Sequence, residues 1–336
     1  MKSLVAVLML AGMTLATGTA YAGSIDDLAK TAATKPPVIW YESSPPEKMQ
    51  EVIDTFNRKY PDIKVQYVRN TGGGGLAAKI IQESLANVPT ASFTTADVQQ
   101  LNALKERGLL ENPDFKSLGI PDNLVGSEQA VAVAASLGVL IWNKNQVPDA
   151  DVPKNWDELV DPKWGNHAGT WVRGTMYVSL AAAIGEDKAR ELVKKIVDQG
   201  AMGFQANAQV AQQTASGELD LVYGLYHTTQ PILDSGAPVG LAFLEPVPTT
   251  TIWGLVIKST GGNVEGAEVL LNWLTTPEGA KAYEAATLRG NPKIEGTRHF
   301  DLVKGKKLAE YPITELPTVM RLDGEFTQVL SKALKP

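Results

Sequence analysis

Apolar residues along the chain fall into two rhythms. Short runs rich in β-branched and aromatic residues, such as Val38-Ile39-Trp40-Tyr41 and Ile63 to Val68, are separated by stretches with apolar positions at helical spacing. In Pro46 to Lys59, Met49, Val52, Ile53 and Phe56 recur at i, i+3, i+4 and i+7, and Tyr60-Pro61 ends the pattern. The same reading predicts a helix from Leu76 to Ala86, a strand at Ala91-Ser92-Phe93 and a helix ending at Arg107-Gly108. Further strands are expected at Gly138 to Trp142, Gly169 to Val172, Leu219 to Tyr223 and Val239 to Phe243. Helices at 174–184, 187–199, 207–216 and 228–235 interleave with them. A strand from Ile252 to Ile257 leads into a helix from Val264 to Leu274 and another starting at Pro277, a residue suited to a first helical turn. Repeated strand-helix units predict an α/β fold, a sheet with helices on both faces.

Length divides this pattern in two. A chain of 336 residues exceeds what one hydrophobic core usually organises, about 250–300 residues. Two Rossmann-like lobes are therefore expected, the second inserted into the first. Lobe 1 is read as 37–130 plus 250–300 and lobe 2 as 135–246 plus 301–336. Crossover segments Gln129 to Ala134 and Pro246 to Thr251 would serve as the hinge.

The first 22 residues stand apart. Lys2, the apolar run Leu4 to Ala11 and the small-residue ending Ala20-Tyr21-Ala22 form the three regions of a cleavable secretory leader, 1–22. The run is short of the about 20 apolar residues that span a bilayer. A soluble, monomeric periplasmic protein is expected, and the absence of Cys excludes disulfides and a lipidated cysteine. With 31 basic against 37 acidic residues and no basic tract, nucleic acid is excluded as a partner. There is no G-x-S-x-G elbow, and His167, His227 and His299 lie far apart without metal-ligand spacing. No enzymatic activity, cofactor or resident metal is expected.

Ligands of open α/β sheets sit beyond the carboxyl ends of the strands, where helix N-termini present free N–H groups. Four such loops are rich in hydroxyls and glycine: Glu42-Ser43-Ser44-Pro45, Asn70-Thr71-Gly72 through Gly75, Thr94-Thr95-Ala96-Asp97, and Arg173-Gly174-Thr175. Their polar groups can hydrogen-bond an anion or act as N-caps. Arg173, a cation directly before a predicted helix start, points to a carboxylate or phosphate, or else pairs on the rim with a surface acid. The glycine run lacks the Lys-Ser/Thr ending of a nucleotide loop. Tyr41, Trp142, Tyr223 and Trp253 are candidate aromatic walls or core.

Several segments, in order, carry a family resemblance: Val38 to Ser43, Phe56 to Pro61, Ala103 to Leu110, Leu137 to Lys144, Ser216-Gly217-Glu218-Leu219-Asp220, and Leu271 to Leu274 followed by Thr276-Pro277-Glu278-Gly279. Over nearly the whole chain after the leader, the sequence resembles the type II periplasmic solute-binding proteins of ABC importers, in the branch that holds ferric-ion binders and binders of small organic anions. The resemblance implies the two-lobed type II fold, capture of a solute between the lobes and delivery to an inner-membrane permease. Ferric binders in this branch present two adjacent tyrosines, which here read Tyr226-His227, and Fe(III) favours phenolate and carboxylate oxygen over imidazole. The family's anion-holding turn corresponds to Arg173-Gly174-Thr175, and a polar Asn is retained as Asn207.

The expected cargo is therefore a small anionic organic solute of phosphonate, sugar phosphate or carboxylate type. Its expected contacts are Ser43, Ser44, Thr71, Gly72, Thr94, Thr95, Arg173, Gly174, Thr175, Asn207, Tyr226 and His227. Ferric iron held by Tyr226 and His227 is the alternative, and a sensory role would use the same cleft.

Overall fold

The computed structural model describes residues 25–70 and 75–334. The leader and the Thr71-Gly72 pair lie outside them. In chain order the elements are α1 (Ile25–Ala33), β1 (Val38–Glu42), α2 (Pro46–Lys59), β2 (Val65–Arg69), α3 (Gly75–Leu85), β3 (Phe93–Ala96), α4 (Val98–Glu106), β4 (Val125–Ser127) and β5 (Ala130–Asn143). There follow α5 (Trp156–Leu159), β6 (Ala168–Trp171), α6 (Thr175–Ile184), α7 (Glu186–Asp198), β7 (Met202–Phe204), α8 (Asn207–Ser216), β8 (Leu221–Leu225), α9 (Tyr226–Asp234) and β9 (Val239–Ala242). The chain continues through β10 (Val247–Val256), α10 (Val264–Leu274), α11 (Pro277–Thr287), α12 (Arg298–Leu302), β11 (Leu308–Ala309) and α13 (Leu316–Leu330).

The strands run in the order β2-β1-β3-β10-β5-β8-β6-β7. The long strand β5 belongs to both halves of this array. Its first part, Val131 to Leu137, pairs antiparallel with β10, and its second part, Gly138 to Trp142, pairs with β8. Around β1, β2 and β3 one core gathers Trp40, Phe56, Phe93, Trp273 and Tyr283; around β8 another gathers Val139, Phe204, Val222 and Tyr226. The fold is thus two α/β lobes joined by strands that cross between them.

Local chemistry explains the elements that matter for the cleft. Helix α2 buries Met49, Val52, Ile53 and Phe56, the stripe visible in the sequence, and carries Pro46 in its first turn. Helix α4 begins with a capping box: Asp97 accepts from the Gln100 N–H at 2.8 Å while the Gln100 side chain accepts from the Asp97 N–H at 3.4 Å. Such a cap contributes about 1 kcal/mol.

Several sequence expectations shift. The third strand runs from Phe93 to Ala96, so Thr94 and Thr95 are strand residues and not part of a loop. It lies between β1 and β10 and is buried throughout, leaving no alternation to reveal its end. The strand expected at Ile252 begins at Val247, which places Thr249 to Thr251 in the crossing strand itself. Helix α9 starts at Tyr226 rather than 228. The short strand β7 and the helix α13 had no counterpart in the sequence reading.

Candidate functional site

A cavity of about 300 Å³ lies between the lobes, where the carboxyl ends of the parallel strands face each other. One wall carries Glu42, Ser43, Asn70, Thr95 and Asp97, with Tyr283 and Arg289 from the α11 region. The other carries Trp171, Thr175, Asn207, Leu225 and His227. Ser136 of β5 and Thr250 and Ile252 of β10 line it where the crossing strands pass.

Glu42 ends β1 and is buried. Its carboxylate accepts from the Ser44 N–H, from the Ser44 hydroxyl at 3.1 Å, from Tyr67 at 3.1 Å and from Tyr283 at 3.5 Å. Burial, with the Glu42 charge beside them, pushes both phenols far above their ordinary range. Both stay neutral; Tyr283 donates to Glu42, and the single Tyr67 proton lies between Glu42 and the nearer Ser44 carbonyl at 2.6 Å. Ser44 is thereby committed to Glu42, and the Thr94 hydroxyl is committed to the Tyr41 carbonyl at 2.8 Å. Neither residue lines the cavity, whereas Ser43 and Thr95 do.

The turn Arg173-Gly174-Thr175 meets the protein's own acid. Thr175 Oγ1 donates to Asp323 Oδ1 at 3.0 Å, the Gly174 N–H donates to Thr327 Oγ1 at 2.9 Å, and Gln99 of α4 donates to the other Asp323 oxygen. The positive end of α6 is therefore answered by a carboxylate from α13. A Cβ on Gly174 would stand 2.6 Å from the Asp323 carbonyl oxygen, so this glycine admits α13 and not a ligand. Arg173 and Gly174 do not line the cavity, although Thr175 does. Burial raises the carboxyls of Asp97 and Asp323, and the Arg173 charge opposes that rise in both.

At the ends of β7 and β8 the arrangement is open. Asn207, the first residue of α8, accepts through Oδ1 from the Leu225 N–H at 3.1 Å and from the Thr228 hydroxyl. That fixes the amide and leaves Nδ2 without a partner among the described residues. His227 Nε2 lies 3.1 Å from Arg289 Nη2, and its Nδ1 is buried without a partner among them. A guanidinium only donates, so Nε2 is the acceptor and Nδ1 carries the proton. Burial first, then Arg289 and His299, push the His227 imidazolium well below the ordinary histidine range, and the ring is neutral.

Tyr226 points elsewhere. Because α9 starts at this residue, it and His227 project about 100° apart around the helix. Its ring packs edge-on against His299 at 5.2 Å, under Arg298, and its hydroxyl is buried without a partner among the described residues. The pair does not converge on one ion. Nor does any group of three or more His, Asp or Glu among the described residues stand in metal-holding geometry. None of Tyr41, Trp142, Tyr223 and Trp253 lines the cavity; Trp171 does, its indole N–H fixed on the Gln205 carbonyl at 3.1 Å.

Arg289 is the cavity-lining cation that sequence reasoning missed. Leu288 ends α11 in the left-handed region (φ 56°), and Gly290 and Asn291 then bond to Ala135 and Ala132 of β5. No strand-end rule points to it, since it reaches the cleft from a turn after a helix.

Two lobes joined by crossing strands, with a polar cavity at their facing strand ends, define a solute-capturing protein of the type II architecture. Comparison with known proteins agrees. The Fe(3+)-binding periplasmic protein of Serratia marcescens is 23% identical over 316 residues, 86% of this chain and 92% of that protein. Iron-bound HitA of Pseudomonas aeruginosa superposes with a TM-score of 0.70 at 18% identity, covering 87% of this chain and 99% of that one. AfuA of Actinobacillus pleuropneumoniae, with exogenous fructose-6-phosphate bound, gives 0.68 at 22% identity, covering 88% and 98%. Residues 51–292 match the bacterial extracellular solute-binding proteins, and the chain belongs to that family. Its fold and family are those of binding proteins, and the resemblance to the periplasmic proteins of ABC importers holds. Among the described residues no helix is long and apolar enough to cross a membrane.

Proposed function

We propose that this protein captures a small organic anion in the inter-lobe cavity and delivers it, from the periplasm, to an ABC permease. The observation that carries the reading is Arg289, a cation fixed on the neutral His227 ring and lining the same cavity as Asn207, Ser43 and Thr95. Charge-assisted bonds from such a group suit a phosphate, phosphonate or carboxylate head. Glu42, Ser43, Thr95 and Asp97 offer acceptors and hydroxyls to the remainder of the solute. A cavity of this size is at the lower end of the about 300–1,000 Å³ of small-molecule sites. The lobes proposed to close on the solute are 37–130 with 250–300, and 135–246 with 301–336, after removal of the leader 1–22.

Ferric iron is the second reading, favoured by what the Serratia relative is named for. Against it stands the turn of Tyr226 away from the cavity and into the interior, against His299. A thermal-shift panel of inorganic phosphate, a hexose phosphate, an alkylphosphonate, citrate and Fe(III)-citrate separates the two, since binding to the native state raises the melting point by mass action. An organic anion is expected to shift it without iron. A shift with Fe(III)-citrate but not with citrate alone would reverse the choice.

A further inference from the structure

The inter-lobe cavity carries more negative charge than the capture of an anion calls for. Among its lining residues the charged side chains are Glu42, Asp97 and Arg289, since the His227 ring is neutral. Two acids face one base, and none of the three enters a salt bridge among the described residues. Glu42 is satisfied without one. Its oxygens meet the Ser44 N–H, the Ser43 and Ser44 hydroxyls at 3.4 and 3.1 Å and the Tyr283 hydroxyl at 3.5 Å, a full shell of donors for a buried carboxylate. Asp97 has no such shell. It caps α4, so its carboxylate answers the backbone of that helix, accepting the Gln100 N–H at 2.8 Å, and no cationic side chain pairs with it among the described residues. Burial raises this carboxyl, and the Asp323 charge adds to the rise, while Arg173 opposes it from outside the cavity lining. Nor do Asp97 and Arg289 answer each other. Gln99, beside Asp97, is tied to Asp323 at the α6 turn, whereas Arg289 is fixed on His227 at the start of α9.

We infer that the solute is a zwitterion whose anionic head meets Arg289 and whose ammonium group meets the Asp97 carboxylate, which makes Asp97 the residue that selects amino-bearing anions over plain ones. Charges are buried at tolerable cost only when they are paired. A plain phosphate would answer Arg289 and leave Asp97 facing added negative charge in a closed space. An ammonium group removes that conflict, because it only donates and a carboxylate only accepts. The polar groups along the cavity are sorted in the same sense. Asn207, 8% exposed and lining the cavity, keeps its Nδ2 without a partner among the described residues, and it is bonded to Leu225 and Thr228 at the start of α9. The α9 end therefore offers donors, Arg289 and Asn207, to the oxygens of an anion, and the α4 end offers an acid without a cation. Both ends line a cavity of about 300 Å³, small enough for one solute to reach them together.

Asp97 selects in this way only if Arg289 receives an anion, as proposed above, and matched phosphates test the two separately. Isothermal titration of the intact protein compares ethyl phosphate with 2-aminoethyl phosphate, and a hexose phosphate with its 2-amino-2-deoxy counterpart. Within each pair only one member carries an ammonium group. In at least one pair the amino member is expected to bind tighter by about tenfold or more, the worth of one charge-assisted bond. Asp97→Asn keeps a good cap at the start of α4 and is expected to bring the two members within about twofold of each other. Asp97→Ser, also a cap, takes its place if that variant does not fold. Wild-type affinities that agree within about twofold in both pairs overturn the zwitterion and leave anion capture standing. A tenfold preference that survives in a folded Asp97 variant overturns the role of Asp97. Failure of all four phosphates to bind overturns both the zwitterion and the anion reading on which it rests.

Discussion

The turn after β6 and the turn after β8 are close in kind: each hands a buried strand to a helix whose positive end faces the space between the lobes. They come to different ends. At the first, α13 brings Asp323 and Thr327 onto Thr175 and Gly174, and the helix start is neutralised from within. At the second, His227 and the neighbouring Asn207 of α8 are held by bonds to one of their polar atoms, while the other is buried without a partner among the described residues. A helix N-terminus becomes a ligand site only where the rest of the fold leaves it unanswered, and the answering residue at the first turn is 148 positions away.

The sharpest way to break this comparison is to remove the two arginines in turn. Arg289→Ala should weaken a bound hexose phosphate by about 1.5–3 kcal/mol, or roughly 10- to 150-fold, because a charge-assisted bond is lost. Arg173→Ala should change it by less than about twofold. Isothermal titration of both decides, and equal losses would put Arg173 back at the ligand. Gly174→Ala should act on stability instead, costing about 1–3 kcal/mol by forcing α13 off α6, as read from urea unfolding. A binding defect without loss of stability there would mean that a solute does approach Gly174. Asn207→Ala should cost a smaller share of affinity, about 0.5–1.5 kcal/mol for one hydrogen bond.

The weakest effect is a control remote from both turns. Burial, with Glu265 and Glu111 nearby, pushes the Glu268 carboxyl up to about 7. A carboxyl raised in the folded state binds its proton more tightly there than in the unfolded chain. Stability therefore falls as pH rises from the ordinary carboxylate range to about 7. Glu268→Gln should raise the melting point at pH 8, leave it unchanged at pH 4, and alter solute affinity at neither.

Much of this was legible locally. Helices α2 and α10 stand at the limits their apolar spacing and caps announce, since amphipathic periodicity is written in the segment itself. Strand β3 was misplaced because a strand buried on both faces shows no alternation, and with it Thr94 was read as a loop residue. Tyr226 and His227 were found by resemblance as neighbours, but a two-residue change in where α9 begins decides that one faces the cleft and the other the interior. Arg289 was invisible for a different reason. Its place is set by Gly290 resting on Glu284 and His299 and by bonds to β5, contacts between segments far apart in the chain.

Helix α13 is the last described α-helix in sequence, yet it supplies the groups that close the start of α6. A chain cut before Leu316 would keep α6 but lose Asp323 and Thr327, leaving the helix start with a free N–H and no carboxylate to answer it. The last described α-helix thus acts as a seal on a turn far from it in sequence.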